Sequence, residues 1–154
     1  MSQTFKLDPD VQKHLLRRSD ARGLIQLGGH LALLLLAGIG VYLSQGSLWM
    51  ALSLPFYGTV MVFLFAPLHE TVHYTAFKRK WLNNAVAAAI GFLLVLPYRY
   101  FRAFHYGHHR YTQDPERDPE LSGDKPQSVA RWALCVSGLP VWREHVTTLW
   151  PVSY

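Results

Sequence analysis

Five of the eight histidines in this 154-residue chain fall in two short clusters. The first is His69-Glu70-Thr71-Val72-His73, and the second is His105-Tyr106-Gly107-His108-His109. On a helix, residues i and i+4 share a face, so His69 and His73 can hold one metal from one side. His105, His108 and His109 follow an i, i+3, i+4 pattern, which also gives one face. Imidazole suits iron, zinc, copper and nickel. Five such nitrogens exceed the four-coordinate shell that zinc normally takes, yet two iron ions would need more than five. The first cluster also fits His-Glu-x-x-His, the arrangement of zinc proteases with the glutamate as general base. That reading leaves the second cluster without a role.

The elements that must position these histidines are apolar and long. Hydrophobic residues make up 50% of the chain and charged residues only 16%, against roughly 25% charged in a soluble domain. The charges crowd between apolar runs, which reads as membrane spans with polar connections. Leu24 to Leu43 is long enough for a first span, at ~30 Å of helix. Ser44-Gln45-Gly46-Ser47 is a tight hairpin turn, with Tyr42 and Trp49 beside it as interfacial aromatics. Leu48 to Leu68 is a second span, with Pro55 expected to kink it and Pro67 to bend the chain near its end. Gly28 and Ala32, one turn apart, are either a surface for close helix approach or ordinary small residues of a span.

Five Lys or Arg residues precede the first span and none lies in the hairpin turn. The N-terminus and His69 are therefore expected on the cytoplasmic side. The net charge of +5 comes with no nucleic-acid motif. The basic residues instead flank the apolar runs: Lys13, Arg17, Arg18 and Arg22 before the first, and Lys78, Arg79 and Lys80 after the second. They read as anchors at anionic headgroups. Ala85 to Pro97 is a third apolar run of ~20 Å, too short to cross, bounded by Asn83-Asn84 and Tyr98-Arg99. It reads as an interfacial or re-entrant helix. If it crossed, the two clusters would lie ~30 Å apart on opposite faces and could not share metal. Residues 98–127 are polar and aromatic, with Asp114-Pro115 and Asp118-Pro119 marking a loop. Apolar residues then return around Trp132 and Trp142. The expected fold is all-α and integral to the membrane: a transmembrane helical hairpin plus interfacial helices. Residues 1–22 form a cytoplasmic segment, in which Asp8 caps a short helix with Pro9 in its first turn, and residues 23–154 form the membrane domain.

Two boxes in this order, on one side of a membrane, resemble the first two histidine boxes of the membrane fatty acid desaturase and hydroxylase superfamily. His109-Arg110-Tyr111-Thr112, Asp114-Pro115-Glu116 and Asp118-Pro119-Glu120 also resemble the sequence after the second box in bacterial members. The resemblance implies a centre of two non-haem iron ions with His69, His73, His105, His108 and His109 as ligands, and no catalytic group separate from them. It implies use of O2, a lipid acyl substrate, and an electron donor such as ferredoxin, rubredoxin or a cytochrome-b5-type protein. An unactivated C–H bond has no acid–base handle, so a metal–oxygen cofactor must carry that step. The implied location is a bacterial inner membrane, with both boxes cytoplasmic. A third box, His-x-x-His-His or Gln-x-x-His-His, is expected downstream. Only His145 follows His109, in Arg143-Glu144-His145-Val146, which does not match. The chain therefore reads as part of a longer enzyme that alone binds iron poorly. The competing readings are a carotenoid or alkane hydroxylase of the same superfamily, the zinc protease, and an inactive truncated hairpin.

Several other residues take secondary roles in this reading. Glu70 and Asp118 are candidates for hydrogen-bonding a ligand histidine. Asp114, Glu116 and Glu120 share Asp118's stretch, and at least two of these four acids read as a solvated turn. Arg99 and Arg102 are candidates for an anionic headgroup or carrier. The stripe Tyr98, Tyr100, Phe101, Phe104 reads as buried in the interface. His30, inside the first span, reads as a neutral imidazole bonded to the neighbouring helix, and His14 as a surface residue. The single cysteine, Cys135, excludes an intrachain disulfide and reads as a small buried hydrophobe.

Overall fold

A computed structural model describes residues 7–123 and 125–149. It is helical, with no strand among the described residues. The helices are α1 (Pro9–Leu15), α2 (Asp20–Leu43), α3 (Met50–Val62), α4 (Phe65–Val72), α5 (Lys80–Leu93), α6 (Tyr98–Tyr111), α7 (Val129–Val136) and α8 (Leu139–Leu149), with a 3-10 turn at Pro119–Leu121. The chain divides into two compact units, one ending at Tyr106 and one beginning at Gly107.

In the first unit, Asp8 caps α1 by accepting from the Asp10 and Val11 amides, with Pro9 in the first turn. Ser19 caps α2, which extends one turn earlier than the apolar run because Asp20 is anchored. Its carboxylate accepts from the Arg79 amide at 3.0 Å and pairs with the Arg79 side chain at 3.3 Å. Both α2 and the 23-residue stretch Met50–Val72 are long and apolar enough to span a bilayer. Leu33, Leu35 and Leu36 of α2 face outward, which in lipid carries no hydrophobic penalty. The chain is an integral membrane protein built on a helical hairpin.

Close approach within the hairpin occurs at Ala37, which is buried, and Gly38, which faces the Tyr57 ring. The surface at Gly28 and Ala32 is instead exposed, with no atom near Gly28. The two helices also meet beside their turn, where the Ser44 and Ser53 hydroxyls lie 2.6 Å apart. The second span runs through Pro55 without a break. It breaks at Phe63–Leu64, between α3 and α4. Pro67 explains the position: it has no N–H to give the Phe63 carbonyl, and its ring crowds that oxygen. The Phe63 carbonyl accepts from Ala66 instead, and Leu64 donates back to Met61. His30 answers the break, with Nε2 3.1 Å from the Val60 carbonyl, as the sequence led us to expect.

Beyond the break, Leu64, Leu68 and Val72 recur every four residues and are fully buried. They pack against Ala87 and Ile90 of α5 and Phe101 of α6. His69 and His73 follow Leu68 and Val72 by one residue each, so the packing that buries one stripe aims the neighbouring stripe. Helix α4 ends with Tyr74 in the left-handed region at φ 59°. Thr75 N–H bonds the Glu70 carbonyl and Tyr74 N–H the Thr71 carbonyl, the pattern that glycine usually closes.

Helix α5 begins at Lys80, so Asn83 and Asn84 lie inside it rather than bounding it. Asn83 is fully buried because its amide satisfies the loop: Nδ2 donates to the Phe77 and Arg79 carbonyls, both at 2.9 Å, and Oδ1 accepts from Phe77 N–H. At 14 residues α5 spans ~21 Å, short of the ~30 Å hydrocarbon core. The chain then turns through 102° into α6. Val95 takes φ 54° at this bend, and Leu96 N–H reaches back to the Gly91 carbonyl at 2.7 Å.

A Cβ on Gly91 would sit 2.6 Å from the Leu96 carbonyl oxygen, so only glycine fits. Gly91→Ala is expected to cost about 2 kcal/mol or more. Val95→Gly is expected to stabilise by about 1 kcal/mol, relieving a β-branched residue from a left-handed backbone. Thermal unfolding in detergent followed by circular dichroism checks both, and a Val95→Gly variant that melts earlier would contradict the strain.

In the second unit, Asp114 makes a polar turn, accepting from the Glu116 and Arg117 amides and pairing with the Arg117 side chain. Helices α7 and α8 pack on each other around a turn with Gly138 at φ 72°. Cys135 is exposed, not buried. On the eight-residue α7, Trp132, Leu134 and Val136 are exposed as well. His145 lies on α8, its side chain outside the described part, and residues 1–6 and 150–154 are also outside it.

Candidate metal centre

His69 sits in the last turn of α4, and His73 is its C-cap. His105 lies on α6 and is 7% exposed. The three rings form a triangle with centroids 4.8 Å (His69–His73), 4.5 Å (His69–His105) and 4.8 Å (His73–His105) apart. His73 Nε2 and His105 Nε2 lie 2.8 Å apart. Two nitrogens bound to one metal at ~2.1 Å and a right angle would be ~3 Å apart, so the spacing suits a shared ion. A member of each cluster therefore meets the other, and α5 does not hold them a bilayer's thickness apart.

The aromatic residues around the triangle hold it. Phe101 stacks on His105 at 5.3 Å and 17°, and Phe65 packs edge-on to Phe101 at 5.2 Å. Tyr106 Oη donates to the Val72 carbonyl at 3.0 Å, as does Arg102 Nε at 3.2 Å. This carbonyl belongs to the last turn of α4, where intrahelical donors run out. Arg102 also donates to Asn84 Oδ1 at 2.9 Å and lies 4.4 Å from the centre of the Tyr74 ring. One guanidinium thus links the end of the first box, the start of α5 and the helix of the second box. The proline- and glycine-free stretch around residue 102 offers no local signal for this role. Arg99 is exposed and donates to its neighbour Tyr98.

Glu70 is half-exposed, 3.5 Å from His69 Nδ1, and its other oxygen accepts from Thr75 Oγ1 at 2.5 Å. In the second unit, His108 Nδ1 lies 2.9 Å from Asp118 Oδ1 and 3.4 Å from Glu120 Oε2. Asp118 is 2% exposed. It also accepts from the Glu120 and Gln113 amides, both at 3.0 Å. The Gln113 bond secures a residue at φ 66° at the end of α6. His109 follows His108, their rings 5.8 Å apart, and lies one helical turn after His105 along α6.

Enclosure alone would push the Asp118 carboxyl up, but the hydrogen bonds from His108 and two amides together bring it below its ordinary range. The hydrogen bond to Asp118, more than the opposing desolvation, raises His108 above an ordinary histidine. A raised imidazole stabilises the fold fully below its unfolded value, and that contribution fades as pH rises through the folded one. A lowered carboxyl stabilises above its unfolded value and fades as pH falls. In the metal-free chain the pair is therefore expected to contribute most between roughly pH 4 and 6.5. Melting curves across pH should show this dome in the native chain and a flatter profile in Asp118→Asn. Identical profiles would remove the pairing.

Comparison with known proteins follows the same residues. The family model described as fatty acid desaturase matches residues 46–152. The chain is 28% identical over 96 residues to an sn-1 oleoyl-lipid 12-desaturase of Picosynechococcus sp., covering 58% of this chain and 28% of that protein. It is 26% identical over 99 residues to the sn-1 oleoyl-lipid 12-desaturase of Anabaena variabilis, covering 63% and 28%. The match thus spans little more than a quarter of each relative's length. No solved structure matches the chain. With the family model covering more than half of its residues and both histidine boxes inside that match, the chain belongs to the fatty acid desaturase family.

Proposed function

We propose that this chain is part of an O2-dependent oxidoreductase that introduces a double bond into a lipid acyl chain, with a di-iron centre held by His69, His73, His105, His108 and His109. The observation that carries this is the contact of box-one and box-two imidazoles, His73 and His105, at 2.8 Å. Further ligands come from outside these 154 residues, in keeping with the fraction of the relatives' length that the match covers. When bound, the iron pair supplies the O2 activation and C–H cleavage that side chains lack.

The chain's own residues orient and shield. Asp118 accepts a hydrogen bond from His108 Nδ1–H, which holds the proton on Nδ1 and leaves Nε2 with its lone pair for metal. Glu70 stands at His69 in the same sense, more loosely. Phe65 and Phe101 cover one side of the imidazoles against water. An apolar groove of about 400 Å³ runs from Val62 and Phe63 at the helix break past Phe65 and Ala66 to His69 and Glu70. It suits an acyl chain entering from the membrane. Arg102, committed to Val72 and Asn84, ties the boxes together rather than waiting for a headgroup, and Arg99 remains open to one.

The orientation follows the basic residues. The Asp20–Arg79 pair places the start of α2 and the start of α5 at one level, and both segments are rich in Lys and Arg. That favours a cytoplasmic face, in a bacterial inner membrane, with a ferredoxin, rubredoxin or cytochrome-b5-type donor docking there. The test is lipid analysis by mass spectrometry in a host expressing the protein from its native reading frame. A new double bond that requires O2 and disappears in His73→Ala is the expected result. Hydroxylated chains would point to the hydroxylase branch, and one bound zinc with peptide cleavage would overturn the assignment.

A further inference from the structure

A cavity of about 540 Å³ lies in the first unit, apart from the histidines, between the α1–α2 junction, the first turns of α2, and α4 with the loop after it. Its rim carries Arg17, Arg18 and Arg22, and its apolar wall includes Leu27, Pro67 and Phe77. No described carboxylate pairs with the three arginines. The two acids nearby are already engaged: Asp20 with Arg79, and Glu70 with Thr75 beside His69. The loop is pressed tightly onto α2, for a Cβ on Gly23 would fall 2.5 Å from the Ala76 carbonyl and 2.6 Å from the Phe77 ring. The pocket is therefore a formed feature, at the end of a span where polar and apolar surfaces meet.

We propose that this cavity binds one anionic phospholipid, its phosphate among Arg17, Arg18 and Arg22 and an acyl chain along Leu27 and Pro67. Three guanidiniums offer forked donors to phosphate oxygens. An apolar wall reaching toward the membrane suits a tailed ligand better than a soluble acidic partner. Because Glu70 and Pro67 line the same cavity, the lipid rests against the helix that carries box one. The site adjoins the acyl groove, with Ala66 and Glu70 lining both, and does not depend on the activity proposed above.

The test is native mass spectrometry of the full chain released from detergent with phosphatidylglycerol or phosphatidylcholine of matched acyl chains. The expected result is retention of one phosphatidylglycerol at least tenfold over phosphatidylcholine. Arg18→Gln with Arg22→Gln should weaken that retention about thirtyfold, the effect of two charges at a headgroup surface. Gln26→Trp, at an exposed position on the cavity wall, should abolish retention by filling the space without changing charge. Lys125→Gln with Arg131→Gln, in the second unit, should leave it unchanged. No preference in the native chain, or equal loss with the second-unit pair, would overturn the site. So would displacement of the lipid by equimolar inorganic phosphate. Binding of a polyglutamate peptide that vanishes with Arg18→Gln/Arg22→Gln while lipid retention persists would assign the arginines to a soluble partner and likewise overturn it.

Discussion

Replacing His105 by alanine is expected to lower metal affinity more than about 100-fold, beyond the range typical of residues that merely support a ligand. His105 is the only box-two histidine in the first unit, and its ring lies within 5 Å, centre to centre, of both His69 and His73. Its loss removes a nitrogen and opens a gap above Phe101. Cobalt(II) titration of the full chain, followed by the visible ligand-field bands, reads the affinity directly. A partial ligand set is expected to bind weakly, so the comparison with the native chain is the informative quantity. His14→Ala, on exposed α1, should leave the titration unchanged. Equal affinities for the native chain and His105→Ala would show that the triangle of imidazoles is not a metal site.

Asp118→Asn is expected to cost about 10–100-fold in metal affinity, although Asp118 touches no proposed ion. The carboxylate fixes the proton on His108 Nδ1 and turns Nε2 outward. An asparagine can present its amide N–H to Nδ1 instead, which favours the other tautomer and takes the lone pair away from the metal side. Nitrogen-15 chemical shifts of His108 separate the two tautomers. A merely structural contribution from Asp118 would lower stability while leaving that tautomer unchanged. Asp118→Glu, which keeps the charge but lengthens the side chain, should recover part of the affinity.

The hairpin, its turn and the two histidine clusters were legible in the residues themselves. Each depends on a local quantity: the length of an apolar run or the i and i+4 spacing of histidines. Asp118 was singled out in the sequence, while its contact with His108 is a matter of the folded loop. The limits of these local rules show at particular places. Asn83 and Asn84 read as a boundary, yet Asn83 is buried inside α5 because its amide serves the Phe77 and Arg79 carbonyls that lead into the helix. Cys135 sits in an apolar stretch and is nonetheless exposed, since apolarity states a preference and not which surface covers it. Gly28 and Ala32 had the right spacing for close approach, while the contact formed at Ala37 and Gly38 near the hairpin turn.

Tertiary structure alone decided how the boxes meet. Arg102 and Tyr106 close on the Val72 carbonyl, Phe101 stacks on His105, and Tyr74 and Val95 accept left-handed backbones at the two turns that bring α4 and α6 together. Arg102, Phe101, Tyr74 and Val95 lie outside both histidine clusters. Periodicity tells which face of a helix is apolar, but the partner of that face depends on the angle at which the next helix arrives. Here that angle is set by a 102° bend that only Gly91 can accommodate. Pairings between residues some thirty positions apart are decided by packing, because a local rule reaches only as far as one helical turn or one loop.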